Sequence, residues 1–158
     1  DYLYRASWSA AYHTASYYRL AQIDCKRGDF KTALEHINRS VSTNIKNVTS
    51  LNLRSLVLRN LGRFADAKKQ AENVLDIDVL NFNAMNELYL IELADGSKSK
   101  AGKMLDELKE SMRDEEQSYL ELCIDYANCG SYVEAVDILS RIDATKNSSG
   151  NMYPIIYY

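Results

Sequence analysis

Four of the six glycines in this 158-residue chain are separated by intervals of 34 residues: Gly28, Gly62, Gly96 and Gly130. Five positions after each of them stands an alanine: Ala33, Ala67, Ala101 and Ala135. Two positions after the glycine, three copies carry an aromatic residue and one carries a lysine: Phe30, Phe64, Lys98 and Tyr132. A fixed period of about 20 to 50 residues is typical of proteins built from stacked repeats. The pattern therefore predicts four copies of one structural unit.

The residue types indicate the shape of that unit. A stretch of helix-forming residues precedes each glycine, as in residues 14–27. Glycine can take the left-handed conformation that ends a helix, because it has no Cβ that would clash. The alanine suits a position where two helix backbones approach closely. Each unit is therefore predicted to be a hairpin of two antiparallel helices.

The spacing of these positions resembles the tetratricopeptide repeat (TPR), in which a Leu, a small residue, a Gly, an aromatic and an Ala recur at these offsets. The Leu-small pair is matched in two copies by Leu20 with Ala21 and by Leu122 with Cys123. The second copy has Arg54 and Ser55 in place of that pair, and the third has Tyr89 at the small position. The proline near the end of the family's units is absent from all four copies, which carry Ile45, Val79, Arg113 and Asn147 there. The resemblance covers residues 14–147. It implies an all-α fold, a right-handed superhelix of stacked antiparallel helix hairpins, that is, a TPR-like α-solenoid.

The repeat also predicts the domain organisation. The chain is expected to form a single array, with residues 1–13 as a helical extension or the end of a preceding unit. The units are then expected at 14–47, 48–81, 82–115 and 116–149, and residues 150–158 are expected to begin a truncated fifth unit. Because the chain starts at Asp1 and stops on an apolar run, it is expected to be part of a larger protein.

Composition and charge narrow the possible environments. With 46% hydrophobic and 26% charged residues, the chain is predicted to be a folded globular protein. It has no run of the roughly 18 apolar residues that membrane insertion would need. Residues 1–70 carry 12 Lys/Arg and 5 Asp/Glu, whereas residues 71–158 carry 7 and 17, which gives +7 and −10. Helical arrays ordinarily have solvated faces of either sign, and this explains the asymmetry. The alternative is that the oppositely charged halves support weak self-association. The compartment stays unassigned.

The resemblance implies a concave groove lined by the first helix of each unit, in which equivalent positions form rows. The candidate groove residues on these rows are Tyr18, Gln22, Lys26, Asn52, Leu56, Arg59, Asn86, Leu90, Leu93, Leu120 and Ile124. Amides one repeat apart, as at Asn52 and Asn86, could bond the backbone of a peptide, although two ordinary exposed asparagines would look the same. The basic residues at one end could pair a carboxylate, and the leucines at the other end suit an apolar segment.

The sequence contains few residues that could carry out catalysis or bind a metal. The two histidines, His13 and His36, are expected to have surface or capping roles, and the glycines are too far apart for a phosphate-binding loop. Three cysteines without CxxC spacing favour neither a disulfide framework nor a zinc site. An acidic pI of about 5.4 and the lack of a reader motif argue against nucleic-acid binding. No catalytic residues, metal or cofactor are therefore predicted.

These observations favour a protein–protein interaction scaffold that binds a peptide or protein segment in the groove, as part of a larger bacterial protein. One alternative comes from a looser resemblance. The stretch YRASWSAAY, leading into YYRLAQIDCKRGDF, is similar to the helical-repeat region that follows a β-sandwich domain in some large bacterial proteins. It implies a non-catalytic accessory region of a carbohydrate-active or carbohydrate-associated protein. A self-associating spacer is the third hypothesis.

Overall fold

The structure is a computed structural model that describes residues 2, 12–113 and 115–142. Within these residues it contains eight α-helices and no strand. Their bounds are α1 His13–Lys26, α2 Phe30–Thr43, α3 Val48–Asn60, α4 Phe64–Ile77, α5 Phe82–Ala94, α6 Lys98–Met112, α7 Glu116–Asn128 and α8 Tyr132–Ser140. Almost all of residues 1–13, and all of 150–158, lie outside the described part, so the predictions for the two ends of the array remain predictions.

The helices pair in chain order into four hairpins, α1–α2, α3–α4, α5–α6 and α7–α8, which we call hairpins 1 to 4. The second helix of hairpins 1 and 2 packs on the first helix of the next hairpin. The first helices also contact one another along the array, α1 with α3, α3 with α5 and α5 with α7. The predicted all-α fold of stacked helix hairpins is confirmed.

A left-handed glycine forms the turn of every hairpin. The φ angles of Gly28, Gly62, Gly96 and Gly130 lie between 72° and 83°. In hairpin 1 the amide of Gly28 donates to the carbonyl of Cys25, and the amide of Asp29 donates to the carbonyl of Asp24, both at 2.9 Å. This is the Schellman arrangement, which satisfies carbonyls that the end of a helix would leave without partners. The same pair of bonds recurs in the other three turns.

The periodic alanines lie where the two helices of a hairpin meet. Ala33 and Ala67 have no exposed surface, and Ala101 and Ala135 are also buried. A larger side chain at these positions would push the helices apart. The sequence pattern of glycine and alanine is therefore explained by one turn and one close contact in each unit.

The junction before hairpin 4 differs from the two junctions before it. Hairpins 2 and 3 each follow an extended residue and begin at an asparagine, Asn47 or Asn81, whose side chain accepts a hydrogen bond from the first turn. Before hairpin 4, helix α6 runs one residue longer and ends at Arg113 in the left-handed conformation, with φ 53°. Glu115 at the start of α7 makes no capping bond through its side chain.

This different junction changes where hairpin 4 lies. The close backbone approach between α2 and α3, and between α4 and α5, is not repeated to the same extent between α6 and α7 within the described residues. The turn of hairpin 4 instead reaches hairpin 1, where a Cβ at Gly130 would stand 2.8 Å from the Cα of Lys26. The largest apolar core joins side chains of all four hairpins, among them Ala21, Leu56, Leu108, Tyr126 and Ile138.

Two glycine variants should separate the cost of a Cβ in the left-handed conformation from the cost of its collision with Lys26. Gly62→Ala should lower the free energy of unfolding by about 1 kcal/mol, because only the left-handed conformation opposes the added Cβ. Gly130→Ala should lower it by about 2 to 4 kcal/mol, because the Cβ also collides with the backbone of Lys26. Urea unfolding followed by circular dichroism measures both, and equal losses would contradict the contact between hairpins 1 and 4.

Candidate interaction surface

The first helices of hairpins 1 to 3 form a surface that we call the inner face (α1, α3 and α5). Most of the predicted groove residues lie on it: Tyr18, Gln22 and Lys26 on α1, Asn52, Leu56 and Arg59 on α3, and Asn86, Leu90 and Leu93 on α5. The remaining two, Leu120 and Ile124, lie on α7. Hairpin 4 packs against this face, so the rows read from the sequence are partly covered by the chain itself.

Arg59 lies at the point where hairpins 2, 3 and 4 meet. Its Nε donates to Glu87 on α5 at 2.8 Å, and its Nη1 donates to Glu134 on α8 at 3.1 Å. Only 10% of the Arg59 side chain and 2% of the Glu87 side chain are exposed. Burial by itself would lower the pKa of Arg59, but the facing Glu87 carboxylate outweighs that effect and raises it. The guanidinium therefore stays charged and holds both carboxylates.

Tyr126 of hairpin 4 completes this network. Its hydroxyl donates to Glu87 Oε1 at 2.6 Å, from a side chain that is almost fully buried. Burial, and then the charge of Glu87, raise the pKa of Tyr126 well above its ordinary value. The phenol is thus held as a neutral donor, and the buried Glu87 has one partner on hairpin 2 and one on hairpin 4.

The two asparagines of the predicted amide pair have different surroundings. Asn86 is fully buried, and its Oδ1 accepts a hydrogen bond at 2.8 Å from Arg141, which follows α8. The guanidinium of Arg141 also lies over the ring of Tyr89, 4.9 Å from its centre. Asn52 is only half-buried; its amide donates to Asn81 at 2.9 Å, and its Oδ1 has no hydrogen-bond partner within the described residues. Each of the two thus keeps one buried polar atom without a hydrogen-bond partner within the described residues, Oδ1 of Asn52 and Nδ2 of Asn86.

The polar end of the inner face lies beside the turn of hairpin 4. Gln22 is buried; it donates to the Tyr18 hydroxyl at 3.1 Å and lies 3.9 Å from the Cys129 sulfur. Lys26 is exposed next to Gly130. Burial raises the pKa of the Cys25 thiol to about 12 and that of Cys129 to about 11, and each is further raised by a nearby charge. Neither thiol is therefore ionised at neutral pH.

The apolar candidates divide between core and surface. Leu56 is buried in the core under hairpin 4, and Leu90 and Leu120 are half-buried. Leu93 is 44% exposed and Ile124 is 56% exposed. Of the apolar residues expected toward the C-terminal half, Leu93 and Ile124 are thus exposed, whereas Leu90 and Leu120 are half-buried.

A cavity remains open between the inner face and α7. It measures about 230 Å³, and its polar lining comes from Tyr18, Asn52, Asn81, Asn83, Glu87, Asp125 and Tyr126. The cavity is large enough for a side chain of a partner, and hairpin 4 covers the inner face beside it.

Several residues of this site carry no signal in the sequence. Glu87, Tyr126, Glu134 and Arg141 were not among the predicted groove residues, because their partners lie 28 to 75 positions away along the chain. The prediction for His36 was wrong: it was expected at the surface or at a helix cap, but it is buried, and its Nδ1 lies 2.6 Å from Oδ2 of Asp24. Within the described residues, no group of three or more His, Cys, Asp or Glu side chains is placed to hold a metal ion.

Removing the Arg59 side chain tests how strongly this network is coupled. Arg59→Met should lower the free energy of unfolding by about 3 kcal/mol or more, because the buried Glu87 would lose its cationic partner. Arg63→Met is the matched control; it breaks an exposed pair with Asp66 and should cost less than about 1 kcal/mol. Losses of similar size in the two variants, measured by urea unfolding, would contradict a coupled buried network.

The two buried thiols should make the fold sensitive to alkaline pH. In the unfolded chain they titrate near pH 9, whereas in the folded chain they stay protonated to about pH 11 or 12. Stability is therefore complete below pH 9 and should fall between pH 9 and 11, by up to about 1.4 kcal/mol per pH unit for each thiol. Urea unfolding at pH 8 and pH 10 measures the loss, and it should be smaller in a Cys25→Ala/Cys129→Ala variant. An unchanged pH dependence in that variant would contradict the assignment.

Comparison with known proteins supports the architecture. No protein-family model matches the chain, and a search of curated proteins gave no significant match. Among solved structures, a crystal structure of MamA aligns with a TM-score of 0.63 at 13% identity, over 86% of this chain and 80% of that chain. A MamA fragment from Desulfovibrio magneticus RS-1, residue 41 to the end, aligns with a TM-score of 0.59 at 17% identity, over 84% and 77%. At such identities the similarity shows the fold alone, which is that of a TPR-like helical repeat protein.

Proposed function

We propose that this chain is a protein–protein interaction scaffold whose inner face binds a helical segment of a partner protein. The observation that carries the proposal is hairpin 4 itself, a pair of helices seated on the inner face of the other three hairpins. Repeat proteins of this kind commonly present such an extended surface to their ligands. A helix in a groove is also a recurrent mode of peptide recognition.

The contacts of hairpin 4 indicate which chemistry the inner face accepts. An apolar centre around Leu53 and Leu56 receives the buried side of Tyr126 and Ile138. Beside it, Arg59 receives a carboxylate and Asn86 receives a guanidinium, as Glu134 and Arg141 demonstrate. A matching partner would present an apolar helical stripe with an acidic residue beside it. Such a charge adds orientation and specificity to the apolar contact.

The other hypotheses lack a comparable observation. The described residues contain no strand and offer no feature that favours a carbohydrate-associated accessory region. Part of the opposite charge of the two halves is used within the chain, since Arg59 pairs with Glu134 and Lys68 with Glu92. No helix of the described part is long and apolar enough to cross a membrane. Catalysis is not part of the proposal, and an interaction role needs neither metal nor cofactor.

Binding by the inner face can be tested with the chain's own hairpin as the probe. A fluorescein-labelled peptide of residues 116–142 would be titrated into a chain that carries Glu134→Gln and Arg141→Ala, so that every residue of the inner face stays native. Fluorescence anisotropy should show saturable binding. A further Arg59→Met substitution should weaken it at least tenfold, because the carboxylate of the peptide loses its partner.

Lys31→Glu provides the control for this titration. Lys31 is exposed on the second helix α2, away from the inner face, and its substitution should leave the affinity unchanged. Circular dichroism would check that each variant is folded. Absence of saturable binding, or an equal loss in the Lys31 variant, would refute the proposed function.

A further inference from the structure

The junction between α6 and α7, which joins hairpin 4 to the array, differs from the junctions between the other hairpins. Hairpins 1 to 3 follow one another through asparagine-capped junctions with closely packed helices. Hairpin 4 follows Arg113, a left-handed residue other than glycine, and starts without a side-chain cap. A hairpin held by fewer backbone-close contacts with its neighbour is the part of the described array that can move most independently.

The contacts of hairpin 4 with the other hairpins combine apolar packing in the shared core with polar bonds that a partner could also supply. Three of them are hydrogen bonds of polar or charged side chains, Glu134 with Arg59, Arg141 with Asn86 and Asp125 with Asn83. Helix α8 buries only Ala135 and Ile138, and three of its apolar residues are exposed: Tyr132, Val133 and Val136. Water or a partner with similar groups could replace these polar contacts at small net cost.

Release of hairpin 4 would not leave a bare charge on the inner face. Arg59 belongs to α3 and Glu87 to α5, so this buried ion pair stays intact when α8 departs. Of the bonds made by this ion pair, those to Glu134 and to the phenol of Tyr126 are lost. An inner face that lost a sole counter-ion would resist opening more strongly. The arrangement of these two carboxylates around one guanidinium avoids that penalty.

From these observations we propose that hairpin 4 is a tethered occupant of the surface that the partner uses, and that the partner binds by displacing it. The partner is then a helical segment that presents a carboxylate to Arg59 in the place of Glu134. The inference rests on the proposed function, and it adds that the free chain is largely closed. Closure lowers the apparent affinity by the fraction of chains that are open.

Comparison of the native chain with the loosened chain tests this inference. The labelled peptide of residues 116–142 should bind the Glu134→Gln/Arg141→Ala chain at least tenfold more tightly than the native chain. Asp66→Asn is the matched control, because it removes a carboxylate from the exposed Arg63 pair and should bind the peptide like the native chain. Equal binding by native and loosened chains would overturn displacement and leave the proposed function intact. Absence of binding in both would reject the proposed function itself.

A second measurement reports on the position of hairpin 4 directly. Cys129 is 5% exposed beside Gln22, so a thiol reagent should label it slowly in the free native chain. A saturating amount of the peptide, made with Cys123→Ser and Cys129→Ser so that only the chain carries these thiols, should raise the labelling rate of Cys129 at least tenfold, as judged by mass spectrometry. Cys123, which is already partly exposed on α7, is the internal reference for reagent activity. Peptide binding without faster labelling of Cys129 would show that hairpin 4 stays in place and would overturn the inference.

Discussion

The left-handed glycine at the turn of each hairpin is the constraint on which the rest of this structure depends. A residue with a Cβ pays a steric penalty in that conformation, and without the turn the second helix could not fold back on the first. At Gly28, Gly62 and Gly96 the space around the missing Cβ is open, so the backbone angle alone accounts for glycine. At Gly130 the missing side chain also admits the backbone of Lys26, and this contact joins the last described hairpin to the first.

The contact between hairpins 1 and 4 changes the meaning of the inner face. In an open array the first helices would present their polar residues to water, where ion pairs contribute little. Here Arg59 and Glu87 lie under hairpin 4, where each compensates the buried charge of the other. The same cover makes the thiols of Cys25 and Cys129 inert and leaves Asn52 at the edge of a small cavity. The surface that we propose for a partner is thus also part of the core.

The division of charge between the two halves of the chain has a structural counterpart. Basic residues of the first half meet acidic residues of the second within the fold, as Arg59 meets Glu87 and Glu134 and Lys68 meets Glu92. The Arg59–Glu134 pair orients hairpin 4, and the Lys68–Glu92 pair orients α4 against α5. Under the proposed function, the charge that positions hairpin 4 could also position a partner.

The sequence by itself determined the hairpins, because a left-handed turn and a close helix contact are local demands that one residue type at one position satisfies. It also determined which helices carry the candidate groove residues, since a 34-residue period brings equivalent positions of Tyr18, Asn52 and Asn86 onto neighbouring helices. Only the tertiary structure decided which of these residues face water. That outcome depends on the junction at Arg113, a left-handed residue that no glycine marks in the sequence. It also depends on the bond between Arg59 and Glu134, which are 75 positions apart. Periodicity reports contacts within a repeat and between neighbours, whereas the packing of a fourth hairpin on the first is settled by long-range burial and charge pairing.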